Sequence, residues 1–255
     1  MSTFGDLAGR VAIITGGGQG LGRAYAHAFA KAGAIPIIAE LNEASGRNVE
    51  RELSKAGLHT RFIHTDVASA DSVQAMVDAT VAEFGRIDIL VNNAAIFSTL
   101  KMRPFEEIPL DEWARVMQVN ITGAFLCARA VSPVMRAAGW GRIVNVSSGT
   151  VSMGRPNYLH YVTSKAAVIG MSRALARELG PHGINVNTVL PGATVTEVPR
   201  ETVTDEQRAA IVRMQCIPRI EETEDLIGPV LFLSSEASRF VTGQSLTVDG
   251  GVTHL

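Results

Sequence analysis

Short, uninterrupted runs of apolar and β-branched residues alternate along this chain with longer segments whose apolar positions recur every three or four residues. The first run, VAIIT at Val11 to Thr15, is apolar up to its closing threonine and shows no alternation toward water, so it predicts a strand covered on both faces. Leu21 to Ala32 follows with helical period, and Gly33 ends it. The couple then repeats. IPIIAE precedes a polar helix near Glu43 to Ala56, and TRFIHTD precedes a helix from an N-capping Ser69 to Phe84, with Gly85 at its C-terminal end. IDILVNN and GRIVNVSS are further apolar strands, separated by the long segment around Asp111 to Ala138. Tyr161 to Leu179 has helical period and is stopped by Gly180-Pro181; INVNTVL and SLTVDGG close the series. Pro191 to about Arg219 reads as a loop-rich insertion before the last helix.

Strands apolar throughout, each followed by a helix, predict an α/β fold: a doubly wound parallel sheet of about seven strands with helices on both faces. No composition shift, repeat or low-complexity tract divides the chain, so residues 1–255 are expected to form one domain. Sheets of this kind bind ligands at the carboxyl ends of their strands, which makes the segments after each strand the place to look for chemistry.

Composition removes several alternatives. With 46% hydrophobic and 19% charged residues the chain is too apolar for disorder, and 255 residues can bury a large core. The net charge of −2 comes without a long basic run, so neither nucleic acid nor a membrane surface is an expected partner. No apolar run approaches the roughly 18 residues a membrane span needs, and the opening MSTFGDLAGR lacks the pattern of a signal peptide. Cys127 and Cys216 are far apart and without metal-type spacing, which fits free thiols in a reducing cytoplasm. The six histidines form no H-E-x-x-H or other ligand cluster, so no catalytic metal is expected.

The loop after the first strand reads TGGGQGLG, with Gly16, Gln19, Gly20, Leu21 and Gly22 leading into the first helix. Glycines there let the backbone turn sharply and approach a pyrophosphate, which the N–H groups and dipole of the helix start attract. A plain tight turn would look the same, and Gly16-x-x-x-Gly20-x-Gly22 differs from the usual G-x-G-x-x-G. Glu40 adds weight. It ends the second strand about 20 residues after the loop, where a carboxylate can accept hydrogen bonds from ribose hydroxyls and repel a 2′-phosphate. NAD is therefore favoured over NADP, with Arg23 as the nearby cation that speaks for the latter.

A second stretch, YLHYVTSK at Tyr158 to Lys165, carries two tyrosines, a histidine and a lysine. Free tyrosine has a pKa near about 10, too high for an efficient base at neutral pH, and a fixed cation lowers it. Lys165 lies four residues beyond Tyr161, on the same face of the predicted helix. Tyr158 has Val162 at that offset and precedes the helix, while His160 is turned some 100° away. The geometry selects Tyr161 as the proton-transfer residue.

Taken in order, the glycine loop, Asp66-Val67, NNAA at Asn92 to Ala95, Asn120 in VMQVN, Ser148 in GRIVNVSS, YVTSK, PGATVT and the closing TGQSLTVDGG resemble the short-chain dehydrogenase/reductase family. The resemblance covers nearly the whole chain and implies a Rossmann-type fold with hydride transfer to or from a nicotinamide cofactor. It implies that Tyr161 is the catalytic acid/base, that Lys165 lowers its pKa and binds the nicotinamide ribose, and that Ser148 polarises the substrate oxygen. Ser147, its neighbour, should face the other way. Asn120 would hold a relay water; Asp66 and Val67 would touch the adenine, Asn93 its ribose, and Thr194 and Thr196, just after Gly192, the carboxamide. Two positions depart from the family pattern: Ala95 stands where a glycine is usual, and Thr194 where a branched aliphatic is usual.

Segments flanking these motifs supply Phe97, Val151, Met153, Tyr158, Val195, Ile211 and Met214 as pocket candidates. Their apolar character suits a small hydrophobic secondary alcohol or ketone. The same residues could instead pack a loop against the body. The family resemblance also implies a homotetramer, paired through the segment Asp111 to Ala138 and the YVTSK helix. Two rivals stand beside an NAD-dependent alcohol dehydrogenase or ketone reductase. One is a 3-oxoacyl-carrier-protein-type reductase using NADP, which Glu40 and Gln19 oppose. The other is a dinucleotide-sensing regulator without chemistry, which the intact Ser148, Tyr161 and Lys165 oppose.

Overall fold

The computed structural model describes residues 5–199 and 204–254. Among the described residues seven strands pair in parallel: β1 (Val11–Thr15), β2 (Ile35–Glu40), β3 (Arg61–His64), β4 (Ile89–Asn92), β5 (Gly141–Val146), β6 (Ile184–Pro191) and β7 (Ser245–Val248). Their order across the sheet is β3-β2-β1-β4-β5-β6-β7. Helices α1 (Gly20–Lys31), α2 (Glu43–Lys55) and α3 (Ala70–Phe84) follow the first three strands. Between β4 and β5 lie α4 (Leu110–Met117) and α5 (Gly123–Ala138); between β5 and β6 lie α6 (Thr150–Met153) and α7 (Leu159–Leu179). Helices α8 (Asp205–Met214) and α9 (Thr223–Leu233) precede β7. The expected doubly wound α/β architecture is the one the chain forms.

Strands β1, β5 and β6 are buried at every position, and polar residues within them such as Arg142, Asn145, Asn185 and Asn187 are hydrogen-bonded inside the protein. One face of the sheet is covered by Tyr25 and Phe29 of α1 with Leu226 and Val230 of α9. The other is covered by Met76 and Val77 of α3 with Leu126 and Val131 of α5. Connections leave β1 and β4 toward opposite edges, so a crevice opens at their carboxyl ends. Among the described residues no helix is long and apolar enough to cross a membrane.

Three local features differ from the periodicity. The helical segment before β5 is broken by a π turn, Gln118–Thr122, which widens the ladder and buries Asn120. The YVTSK helix starts earlier than Tyr161, at Leu159, with Tyr158 in the capping position. The insertion after β6 contains α8, opened by a capping box in which Thr204 Oγ1 accepts from Gln207 N while the Gln207 side chain accepts from Thr204 N. T-x-x-Q was the available signal there; the weak amphipathicity of DEQRAAIVRM concealed it.

Candidate active site

A cavity of about 610 Å³ runs across the carboxyl ends of β1, β4, β5 and β6. Its first wall is built where β1 runs into α1. The buried Thr15 hydroxyl accepts the N–H groups of Asn93 and Ala94, both at 3.0 Å, and ties the glycine loop to the end of β4. Asn93 returns the contact, donating from Nδ2 to Thr15 O at 3.0 Å and Gly16 O at 3.2 Å. Gly16 has φ +63°, and a Cβ there would stand 3.0 Å from the Ala94 backbone. Conformation and space both demand glycine.

Glu40 ends β2 against this loop. Its Oε2 accepts from Gly18 N at 3.1 Å and its Oε1 from Asn42 N at 2.9 Å. A side chain on Gly18 would press into the Glu40 stem at 2.8 Å. Two main-chain donors thus hold a buried carboxylate on the wall, and each oxygen keeps a second lone pair for a ligand. Asp66 and Val67 adjoin it, with Asp66 Oδ1 fixed by Ala68 N at 2.9 Å. Arg23 does not face the cavity: its Nε donates to Glu52 at 3.0 Å, which His27 also contacts.

The chemistry-bearing end lies beyond β5. Ser147 and Ser148 both border the cavity but their hydroxyls diverge: Ser147 Oγ donates to Lys165 O at 2.7 Å, whereas Ser148 Oγ accepts from the Thr150 hydroxyl at 3.0 Å. On α7, Tyr161 and Lys165 face the cavity together, with Lys165 Nζ 5.8 Å from the centre of the Tyr161 ring. The ammonium is buried and donates to Val146 O at 2.8 Å; burial pushes its pKa down to about 8, which leaves it largely cationic at neutral pH.

Tyr158 is 3% exposed, and its hydroxyl donates to Phe97 O at 2.6 Å. That commits the phenol to the chain, and its ring lies 4.8 Å from that of Tyr161. His160 is fully buried on the far side of the helix, with Nε2 3.3 Å from Glu112 on α4.

The second wall is the segment after β6. Gly192, Thr194 and Thr196 reach the cavity, and Thr194 Oγ1 donates to Glu221 at 2.7 Å. Farther along, Glu197 Oε1 accepts from Gly20 N at 3.0 Å, the first residue of α1, with Arg23 Nη1 3.9 Å away. The insertion therefore touches the first wall at the start of α1.

Of the residues singled out by sequence, Gly16, Gln19, Gly20, Leu21, Glu40, Asp66, Val67 and Asn93 share the first wall, and Phe97 and Tyr158 lie with Ser148, Tyr161 and Lys165. Five lie off it. Gly22 packs on the Gly16 carbonyl behind the loop. Asn120 uses its side chain behind the wall: Oδ1 accepts from Ile96 N at 2.8 Å and Nδ2 donates to Ile96 O at 3.2 Å and Ser164 Oγ at 3.0 Å. Val151 lies between Thr150 and Met153, which take the cavity-facing side of α6. Val195 alternates away from Thr194 and Thr196 and bridges to Glu222. Met214, at the end of α8, is 54% exposed, past the Gln207, Ala210 and Ile211 face that lines the cavity. Sequence reasoning did not find the clasp made by Thr15, nor Met102, Arg155 and Glu221; the hydroxyl ending VAIIT was the one visible hint.

These residues fit a dinucleotide. The loop lines the cavity with the bare backbone of Gly16 and Gly20, the start of α1 offers N–H groups, and Glu40 can offer an acceptor to ribose hydroxyls. A family profile described as enoyl-(acyl carrier protein) reductase matches residues 16–253. The short chain dehydrogenase/reductase astE of Aspergillus oryzae is 37% identical, over 97% of this chain and 96% of that protein. A probable galactose dehydrogenase, GalD of Rhizobium meliloti, is 38% identical over 98% of each chain. The crystal structure of 3-ketoacyl-(acyl-carrier-protein) reductase from Brucella melitensis complexed with NADH superposes with a TM-score of 0.89 at 33% identity, over 97% of this chain and 100% of that one.

Proposed function

Because the chain belongs to the short-chain dehydrogenase/reductase family of oxidoreductases, we propose that it is an NAD-dependent dehydrogenase or ketone reductase acting on small hydrophobic secondary alcohols and ketones. The observation that carries this function is the division of one cavity. A fixed carboxylate, Glu40, stands on its first wall, and Ser148, Tyr161 and Lys165 stand together at the other end.

A nicotinamide dinucleotide, when bound, supplies the hydride donor or acceptor. The proton chemistry belongs to the protein. Tyr161 takes the hydroxyl proton in alcohol oxidation and returns it in ketone reduction. The Lys165 ammonium favours the phenolate form at short range. Ser148, with its Oγ accepting from Thr150, is left to donate to the substrate oxygen. Asn120 acts by positioning. Through Ser164, whose Oγ donates to Tyr161 O at 2.7 Å, it steadies the first turn of α7, and through Ile96 it steadies the chain leading to Phe97.

Glu40 favours ribose hydroxyls and disfavours a 2′-phosphate, and Arg23, paired with Glu52, does not offset it. Titration of the protein with NADH and NADPH tests this: NADH is expected to bind at least roughly tenfold more tightly, and tighter NADPH binding would overturn the role of Glu40. The substrate end is lined by Ile96, Phe97, Met102, Met153, Tyr158 and Ile211, with Arg155 and Gln207 as polar members, a composition that supports a compact apolar substrate.

A 3-oxoacyl-carrier-protein reductase is the second candidate, favoured by the superposition on the Brucella enzyme. That enzyme was solved with NADH, so dinucleotide choice does not separate the two functions; turnover of carrier-linked against free ketones does. We also propose a homotetramer. Leu110 (86% exposed), Phe125 and Leu159 on α4, α5 and α7 support burial against further copies, and sedimentation analysis would test it.

A further inference from the structure

Behind the second wall a carboxyl group is buried with one oxygen unpartnered. Glu221, between α8 and α9, is 6% exposed. Its Oε1 accepts from Thr194 Oγ1 at 2.7 Å and from Gly192 N at 3.2 Å, and its main-chain carbonyl accepts from Val195 N at 2.8 Å. One residue thus grips three of the four positions from Gly192 to Val195. Its Oε2 is shut off from solvent, makes no hydrogen bond, and fills the space a side chain on Gly192 would need. The hydroxyl that distinguishes Thr194 from the aliphatic residue usual at that position has its partner here.

We propose that Glu221 is a positioning residue for dinucleotide binding: it holds the Gly192–Thr194 wall in its receptive shape, and its protonation state sets how firmly. This rests on the cavity's being a dinucleotide site. Every charged or titratable group around it bears on that state. Burial pushes the Glu221 carboxyl up to about 7, against the pull of its two hydrogen bonds, and the charges of Asp225 on α9 and Asp249 after β7 add to the rise. Tyr25 on α1 presents a buried, unpartnered hydroxyl whose own pKa is raised by burial. Arg219 is paired with Asp225 at 2.6 Å.

Protonated, Glu221 is a neutral acceptor that keeps both donors. Ionised, it holds a charge with one oxygen cut off from water and Asp249 close by, a state relieved when the segment loosens. The sign follows: a carboxyl raised above its unfolded value stabilises the folded wall fully at low pH, and that contribution is lost as pH rises toward about 7.

The test is NADH fluorescence titration of the whole protein at roughly pH 6 and roughly pH 8, with wild type, Glu221→Gln and Glu221→Ala. Wild-type affinity is expected to fall severalfold between the two. Glu221→Gln, whose amide oxygen keeps both donors without a charge, should bind equally at both. Glu221→Ala should bind roughly tenfold more weakly at both. Wild-type affinity in Glu221→Ala, or wild-type pH dependence in Glu221→Gln, would overturn the proposal. Should Glu221→Ala not fold, the Gln comparison decides alone. Failure of the wild type to bind NADH at either pH would instead refute the dinucleotide site itself.

Discussion

The two walls of the cavity are held from different parts of the fold. On the first, Glu40 rests on the N–H groups of Gly18 and Asn42, and Thr15 and Asn93 exchange hydrogen bonds with the main chain of the glycine loop and of β4. Those three holders sit at the ends of β1, β2 and just after β4, and two of them, the Thr15 hydroxyl and the Asn93 amide, carry no charge. On the second wall the holders are carboxylates: Glu221 grips Gly192 and Thr194, and Glu197 reaches Gly20. The contrast assigns the roles. A wall held from the strand ends suits a constant ligand, whereas one held by carboxylates on the long segment after β6 can loosen, close and diverge with the substrate.

Substitutions can break this comparison, beginning with the largest effect. Tyr161→Phe should lower turnover by roughly 10³-fold while NADH still binds. Tyr158→Phe, which loses the bond to Phe97 O, should change KM by a few-fold. Steady-state kinetics giving the reverse ranking would move proton transfer to Tyr158. Glu40→Ala should weaken NADH binding roughly tenfold and remove the bias against NADPH; unchanged discrimination in a competition titration would mean that this wall does not choose the dinucleotide.

Smaller effects belong to the second wall. Glu197→Gln takes a negative charge from the start of α1 and should tighten NADH binding by a few-fold. Equal affinity by calorimetry would show that the insertion does not compete for that N–H. Met214→Ala, at an exposed position off the cavity, should leave kcat and KM within about twofold of wild type. A large loss would place α8 differently against the substrate.

Sequence legibility follows the same division. That Ser148, Tyr161 and Lys165 meet at one cavity was readable because the proposed chemistry restricts residue type and helix geometry restricts spacing. Lys165 falls on the Tyr161 face at i+4, and His160 is buried toward Glu112. The strands were readable because burial on both faces leaves them mostly apolar, and polar residues within them, such as Arg142 and Asn145 in GRIVNV, are buried and hydrogen-bonded inside the protein. What escaped depends on partners distant in the chain. Thr15 meets Asn93 across 78 residues, and Glu221 meets Thr194 across 27, with no local pattern to announce either. Val195 and Met214 were misplaced for another reason: without knowing where the extended turn after β6 and the end of α8 fall, an apolar residue in the insertion cannot be assigned a face.

The most direct measurement is the absorbance of reduced nicotinamide when the wild-type protein, NAD⁺ and a panel of small secondary alcohols are mixed, with the corresponding ketones and NADH run in reverse. Turnover is expected in both directions with hydrophobic alcohols and ketones, and none with Tyr161→Phe. Dinucleotide binding without hydride transfer to or from any member of the panel, or activity confined to carrier-linked acyl substrates, would contradict the assignment.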